Sequence, residues 1–318
     1  MKHFLQGEAW QTLQREIGAP CSVLESEGWS ARGYLVKGKI NTRLYVPYGP
    51  VLNSVEALPA AIAALRAEGK RLGAAFLRCE PTLIDPLHRA VATEQMRALG
   101  LFRVRHRQPE FTQLINLERP FHETLGEMRK GHGNLHRNYR KKGISIRQSE
   151  DPRDVEHLIR LLQDVSDRTG MIAHGDDYLR AQAKVLIPQG AARLFFADLA
   201  EVEQPIAAAM VFDDEDCRYY MHAAADTEHR RLQASTLLLA EMMADSTSRN
   251  QALFDMFGVV PKHARDHAWT GFSDFKRSFG GTEVAFSGTW ELPIKPFSYA
   301  SYHAVRFLAR KLLHKFID

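Results

Sequence analysis

Apolar positions recur along the chain in two alternating rhythms. Phe4, Leu5, Trp10 and Leu13 point inward from a short opening helix over residues 5–16. The runs CSVLESEGW, ARGYLVKGK and RLYVPYGPV predict strands, with turns at Glu27-Gly28 and Lys37-Gly38. Val55, Leu58, Ile62 and Leu65 return to helical spacing and stop before Gly69. AAFLRCEP (74–81) predicts a buried strand halted by Pro81, then a helix over 86–99 and a strand at FTQLINL, 111–117.

The second half repeats this order. Val155, Leu158, Ile159, Leu162 and Val165 mark a helix over 153–168, and another follows near 176–187. ARLFFADL, PIAAAMVF and CRYYMHAAA predict three strands separated by EVEQ and DDED. A helix at 232–248 then leads into the strand ALFDMFGVV. In both halves a group of strands feeds a helix and then another strand, without a residue-level repeat. This order predicts an α/β (α+β) chain of two lobes with mixed sheets, of the acyl-CoA N-acyltransferase kind. The last segment predicts a strand and then an amphipathic helix with Val305, Leu308, Leu312 and Phe316 as its stripe and Arg306, Arg310, Lys311 and Lys315 as its cations. Two placements are open for that helix: docked on the first lobe, or lying on an anionic membrane surface.

Composition supports two lobes with full cores: 318 residues, 45% hydrophobic and 25% charged. Cys21, Cys79 and Cys217 lack metal or redox spacing and are expected as reduced thiols of a cytoplasmic protein. MKHFLQGEAW has no apolar core of a secretory signal, and no run approaches the roughly 20 apolar residues of a membrane span. The net charge is only +4, yet no acidic residue lies between Glu127 and Glu150. Arg129, Lys130, Arg137, Arg140, Lys141, Lys142 and Arg147 crowd that stretch, beside His132 and His136. Such a run either meets phosphates or is a solvated helix face.

Missing motifs narrow the chemistry. There is no G-x-x-x-x-G-K-[ST] loop, no G-x-G-x-x-G after a strand, no H-E-x-x-H, no clustered Cys/His set and no G-x-S-x-G elbow. A metal or a resident cofactor is therefore not expected. HRRLQAS (229–235) is similar to the pyrophosphate-binding turn of acetyl-CoA-dependent acyltransferases but lacks its glycines. GFSDFKRSFGG (271–281) is the odd segment, with Lys276 set among phenylalanines and closed by glycines. A lysine at the end of a strand, held in a partly dry pocket, can stabilise an acyl oxyanion. Aminolysis of an activated ester fits this inventory, since the amine is the nucleophile and the ester supplies the driving force. Asp255 is expected to cap the turn after its strand.

The chain resembles the Fem family of aminoacyl-tRNA-dependent peptidyltransferases, the FemA, FemB and FemX type. FLQGEAW, YVPYGPV, FLRCEP, the run ending KKGISI, DRTGMIAHGDDY, FDMFGVV and GFSDFKRSFGG carry the likeness in order along nearly the whole chain. The resemblance implies two acyl-CoA N-acyltransferase-like lobes without a coiled-coil arm, as in FemX-like members. It sets the acceptor-binding lobe at 1–117 plus 287–318 and the catalytic lobe at 118–286. It makes Lys276 the lysine that engages the aminoacyl-tRNA end and stabilises the transition state. It places His174, Tyr178, Tyr220, His222 and Tyr48 around the acceptor, with His174 where relatives often carry a diphosphate-gripping arginine. Tyr220 and His222 are expected on one strand face. Arg129, Lys130, Arg137, Arg140, Lys141 and Lys142 become candidates for tRNA backbone contacts.

What the resemblance implies is a transfer from aminoacyl-tRNA, the co-substrate, to the stem peptide of lipid II or a UDP-linked muramyl pentapeptide. The enzyme would be a monomer in the cytoplasm or peripheral on its membrane. Two alternatives stay open at this point: a CoA-dependent N-acyltransferase of the same fold acting on a sugar or lipid, and a non-catalytic RNA-binding module.

Overall fold

The structure, a computed structural model, describes residues 2–38, 40–170, 173–264 and 269–314. The chain divides into two compact units, Met1–Glu110 with Ala285–Asp318, and Phe111–Val284. Each is built on a seven-stranded sheet. No helix among the described residues is longer than the 19 of Pro296–His314, so a coiled-coil arm is absent there.

In the first unit the strands run in the order Cys21–Ser26, Trp29–Lys37, Thr42–Val46, Phe76–Cys79, Thr289–Pro293, Phe102–Val104, with Val51–Leu52 also paired to Trp29–Lys37. Thr42–Val46 and Phe76–Cys79 are parallel, which requires the crossover helix Leu58–Arg71 between them. That helix and Pro86–Ala98 bury Leu58, Ile62, Leu65 and Met96 against Leu44, Leu77 and Trp290. Asp85 fixes the start of Pro86–Ala98 by accepting from the N–H groups of Leu87 and His88, each at 2.9 Å. Two of the sequence segments interlock here. Gln6 of FLQGEAW donates to Pro47 O of YVPYGPV at 2.7 Å and accepts from Arg32 N at 2.7 Å.

Under the helix Pro296–His314 lies a buried Arg78–Glu291 ion pair. Tyr299 and Tyr302 anchor the helix, their rings 5.4 and 5.1 Å from that of Phe76. The tail helix therefore does dock on the first unit, but not through its predicted stripe. Val305 and Leu308 are 46% and 58% exposed. The side chains of Arg310, Lys311 and Leu312, and residues 315 and 316, lie outside the described residues.

In the second unit the order is Thr282–Ala285, Phe111–Asn116, Leu253–Asp255, Cys217–Ala225, Ala207–Asp213, Ala192–Leu199, Ile144–Ser149. Phe111–Asn116, assigned to the first lobe from the sequence, belongs here: it pairs antiparallel with Leu253–Asp255, and Ile115 enters the second core. The unit boundaries accordingly fall at 110/111 and 284/285. Helix Ala234–Ser248 covers one sheet face, where Leu237, Leu238 and Met242 pack with Phe195, Val211 and Phe254. Helix Val155–Thr169 packs against Ala207–Asp213 and Cys217–Ala225.

Gly281 allows the last strand to return beside Phe111–Asn116. Its φ is +77°, and a Cβ there would lie 2.3 Å from Leu114 O. Gly281→Ala is expected to destabilise the fold by about 1–3 kcal/mol from backbone strain alone, with the clash adding to it. Urea denaturation of the variant against wild type checks this.

Candidate active site

Cys217–Ala225 and Leu253–Asp255 run parallel, and their pairing stops at Tyr219↔Asp255. Beyond that point Met256 N bonds Gln113 O at 2.9 Å, so the chain leaves its neighbour and the sheet opens. The turn that follows is left-handed at Phe257 (φ +50°) and Gly258 (φ +48°). Asp255 starts it by accepting from Phe257 N at 2.8 Å, the capping role expected from the sequence.

GFSDFKRSFGG does not form the expected strand and loop. Thr270–Arg277 is a helix, and Lys276 stands in its last turn. Ser273, Lys276 and Arg277 recur at helical spacing and together grip the turn. The Ser273 hydroxyl accepts from Val260 N at 3.0 Å, the Lys276 ammonium donates to Phe257 O and to Gly258 O (2.8 Å), and Arg277 donates to Val260 O. The phenylalanines that looked like a strand pattern serve a helix face: Phe275 and Phe279 meet edge-on at 5.2 Å within the core.

Lys276 is 3% exposed. Its Nζ sits 4.2 Å from the ring centroid of Phe272 and 5.9 Å from that of Tyr220. Burial lowers its pKa from 10.5 to about 7, while the charge of Asp255 opposes the shift. The same burial raises Asp255 to about 6, against its bonds from Thr112 and Phe257 N. One Asp255 oxygen, Oδ2, is buried without a hydrogen-bond partner. Two of the three ammonium N–H bonds are taken by peptide oxygens, which leaves one for a substrate oxygen among the described residues.

Tyr220 and His222 do not share a face. The register passes from Val211↔Tyr220 to Met210↔His222, a bulge that spends Met221 as an extra residue. Tyr220 consequently joins the core under helix Ala234–Ser248 and faces Lys276. His222 turns to the other side, where its ring meets Phe212 at 6.0 Å and His174 at 5.4 Å. Tyr178 lies 5.3 Å from His174. Burial and the neighbouring His174 push His222 down to about 3, so it stays neutral, with Nε2 buried and unbonded. A cavity of about 310 Å³ beside His174 is lined by Leu162, Gln163, Ser166 and Asp176. Met171 and Ile172 of the same segment lie outside the described residues. Tyr48 belongs to the first unit, buried there with its hydroxyl donating to Pro109 O at 2.9 Å.

The basic run forms the helix Lys130–Asn138 and a 3-10 turn, Tyr139–Lys142. Leu135 and Tyr139 pin it to the core, while Arg129, Lys130, Arg137, Arg140, Lys141 and Lys142 are exposed. Arg147 is committed elsewhere, paired with Asp198 at 2.8 Å and stacked on Phe196. Arg129 also lines a cleft of about 680 Å³, which gathers two cations not singled out in the sequence, Arg168 and Arg230. Asp226 and Asp274 temper that charge, bonded to His229 (2.6 Å) and Arg277 (3.2 Å). The segment HRRLQAS supplies one wall, and the left-handed turn that a glycine would make is made by Gln233 (φ +57°). Gly271, Asp274 and Phe275, on the helix that carries Lys276, supply another.

A family model described as the FemAB family matches residues 189–306. That stretch of the chain resembles the FemAB family. It includes Tyr220, His222, Arg230 and Lys276, while His174, Tyr178 and the basic run lie before it. The solved structure of FemX has a TM-score of 0.82 at 16% identity, over 94% of each chain. The structure of L-PGS from Bacillus licheniformis scores 0.56 at 11% identity, over 91% of each. A tandem GNAT protein from the clavulanic acid biosynthesis pathway scores 0.55 at 13%, over 92% of this chain and 90% of that one. These likenesses bear out the fold, two acyl-CoA N-acyltransferase-like halves. No curated protein matches the sequence.

Proposed function

We propose that the protein moves an aminoacyl group from aminoacyl-tRNA to an amine on the stem peptide of a peptidoglycan precursor. The observation that carries this reading is one helix with two working sides. Thr270–Arg277 buries the Lys276 ammonium at the opening of the sheet, and its other residues line a cleft that holds Arg129, Arg168 and Arg230. A donor that is both a phosphodiester and an acyl ester needs that pairing, with guanidinium groups for the phosphate and a desolvated cation for the acyl oxygen.

In the reaction, the acceptor nitrogen attacks the ester carbonyl carbon and the carbonyl oxygen becomes an oxyanion. The remaining N–H of Lys276 stabilises that oxygen. Collapse then breaks the bond to the ribose oxygen, which takes up a proton as the new amide nitrogen loses one. A lysine with a pKa near 7 can lend and recover that proton. Tyr220 stays with the donor, while His174, Tyr178 and His222 form the acceptor group in this reading. His174, exposed and beside Asp176, makes a weaker diphosphate ligand than an arginine.

The experiment is a transfer assay with charged tRNA and a muramyl pentapeptide precursor, the product read by mass spectrometry. Arg168→Ala combined with Arg230→Ala is expected to raise the KM for charged tRNA about tenfold or more. The same variant should make the salt dependence shallower by about 0.7 log units per lost phosphate contact. An unchanged KM and slope would remove the donor from the cleft. Tight acetyl-CoA binding with indifference to tRNA would replace the reading with a CoA-dependent one. Full RNA affinity in Lys276→Ala with no transfer by wild type would leave an RNA-binding module.

A further inference from the structure

The helix Pro296–His314 is anchored by Tyr299 and Tyr302, yet its opposite side is apolar. Phe297, Val305 and Leu308 lie on one side of the helix at 91%, 46% and 58% exposure, with Phe307 (58%) at their flank. Phe102 extends the patch. It stands opposite Glu291 in the edge strand, hence on the sheet face that the helix covers, and is 57% exposed. Between helix and edge strand runs a cleft of about 380 Å³ lined by Arg78, Arg105, Glu291, His303, Arg306 and Phe307. Glu291 is held by Arg78 and by His303 (2.9 Å). Arg105 and Arg306 are the cations of this cleft not bonded to it among the described contacts.

Charge adds a second observation. From residue 292 to 317 there is no acidic side chain, while Lys295, Arg306, Arg310, Lys311 and Lys315 are basic. Exposed aromatic and aliphatic groups bordered by cations suit a surface that is apolar in depth and anionic at its boundary. A second copy of the chain would bring the same positive segment against itself, which argues against self-association. No helix of the described residues is long and apolar enough to cross a membrane.

We propose that this face of the first unit docks on an anionic lipid bilayer, with Phe297, Val305 and Leu308 entering the boundary region and the arginines of the cleft meeting lipid phosphates. The inference stands apart from the transfer chemistry, because none of these residues has a part in it.

Vesicle flotation of the full chain tests it. Wild type should partition onto phosphatidylglycerol–phosphatidylethanolamine vesicles at least about tenfold better than onto phosphatidylcholine vesicles, and lose most of that preference at about 0.5 M salt. Phe297→Ser combined with Leu308→Ser should lower binding to the anionic vesicles by about tenfold with an unchanged unfolding midpoint, because both side chains are exposed. Transfer to a soluble precursor should be unaffected in that variant, which separates this proposal from the reading of the active site. Equal partitioning onto both vesicle types, no partitioning at all, or full binding by the double variant would overturn it. So would wild-type dimers that the double variant converts to monomers in sedimentation velocity, since the patch would then be a self-association surface.

Discussion

Lys276→Met is expected to lower aminoacyl transfer by about 10²–10³-fold at saturating substrates, with the KM for charged tRNA little changed. The cationic N–H serves the oxyanion, which exists only in the transition state, so its loss falls on turnover. The lysine also braces the left-handed turn at Phe257 and Gly258, and the test must separate the two roles. Stability separates them. A buried ammonium with a lowered pKa costs the folded state free energy, and methionine of similar length removes that cost while giving up two bonds to peptide oxygens. The variant should therefore unfold at a midpoint close to wild type while transfer collapses. Near-normal turnover would end the assigned role. A turnover loss matched by a lowered midpoint would make Lys276 a brace only.

The same lysine sets a pH signature. Its pKa falls from 10.5 unfolded to about 7 folded, so between those values the unfolded chain binds more protons and stability rises with pH. Asp255 acts in the other direction lower down. Raised from 3.8 to about 6, it holds a proton in the folded state that the unfolded state has released, so stability falls as pH climbs through that interval. Wild type should thus show a minimum near neutral pH in these contributions. Lys276→Met should lose the alkaline rise and keep the acid-side fall, as chemical denaturation across pH will show. Transfer that relies on the ammonium should decline as pH passes upward through about 7.

The largest stability effect is expected at a residue with no part in the chemistry. Arg218 is fully buried, with Nε and Nη2 donating to Asp213 at 2.7 and 2.9 Å, and Nη1 donating to Asp245 at 2.7 Å and to Met242 O at 3.0 Å. It joins the turn between two central strands to the helix Ala234–Ser248. Replacing Arg218 by methionine fills the space but strands two carboxylates, each left with one arginine, Arg193 for Asp213 and Arg249 for Asp245. A loss of about 3–5 kcal/mol is expected in urea denaturation. A loss below about 1 kcal/mol would mean that the remaining arginines and water satisfy both acids.

Much of this architecture is readable from the residues. Helical stripes such as Leu158, Ile159 and Leu162 state their period directly, and short apolar runs such as ARLFFADL, buried on both faces through Leu194–Ala197, mark the strands. Three features escaped for physical reasons. Phe111–Asn116 has an ordinary strand pattern, and only its partners reveal which sheet it enters. GFSDFKRSFGG is glycine-bounded and aromatic, which favours a strand by composition; tertiary bonds from Ser273, Lys276 and Arg277 make it a helix instead. Arg168 and Arg230, 62 positions apart in number, meet in one cleft, and no local pattern announces that. The Lys276 segment itself stood out, because a cation among phenylalanines is costly unless its surroundings compensate it.

The extra residue at Met221 bears on how this strand is compared with others. Counted by number, Tyr220 and His222 look like alternate members of one row; counted by facing direction, they belong to different compartments. A relative whose strand lacks the bulge would present, two positions after its own tyrosine, a side chain in the lysine's compartment rather than in that of His174. Aligning the two chains without a gap would equate residues that never meet the same neighbours. Deleting Met221 would remove the bulge and leave the two rings as sequence neighbours, still on opposite faces of the strand.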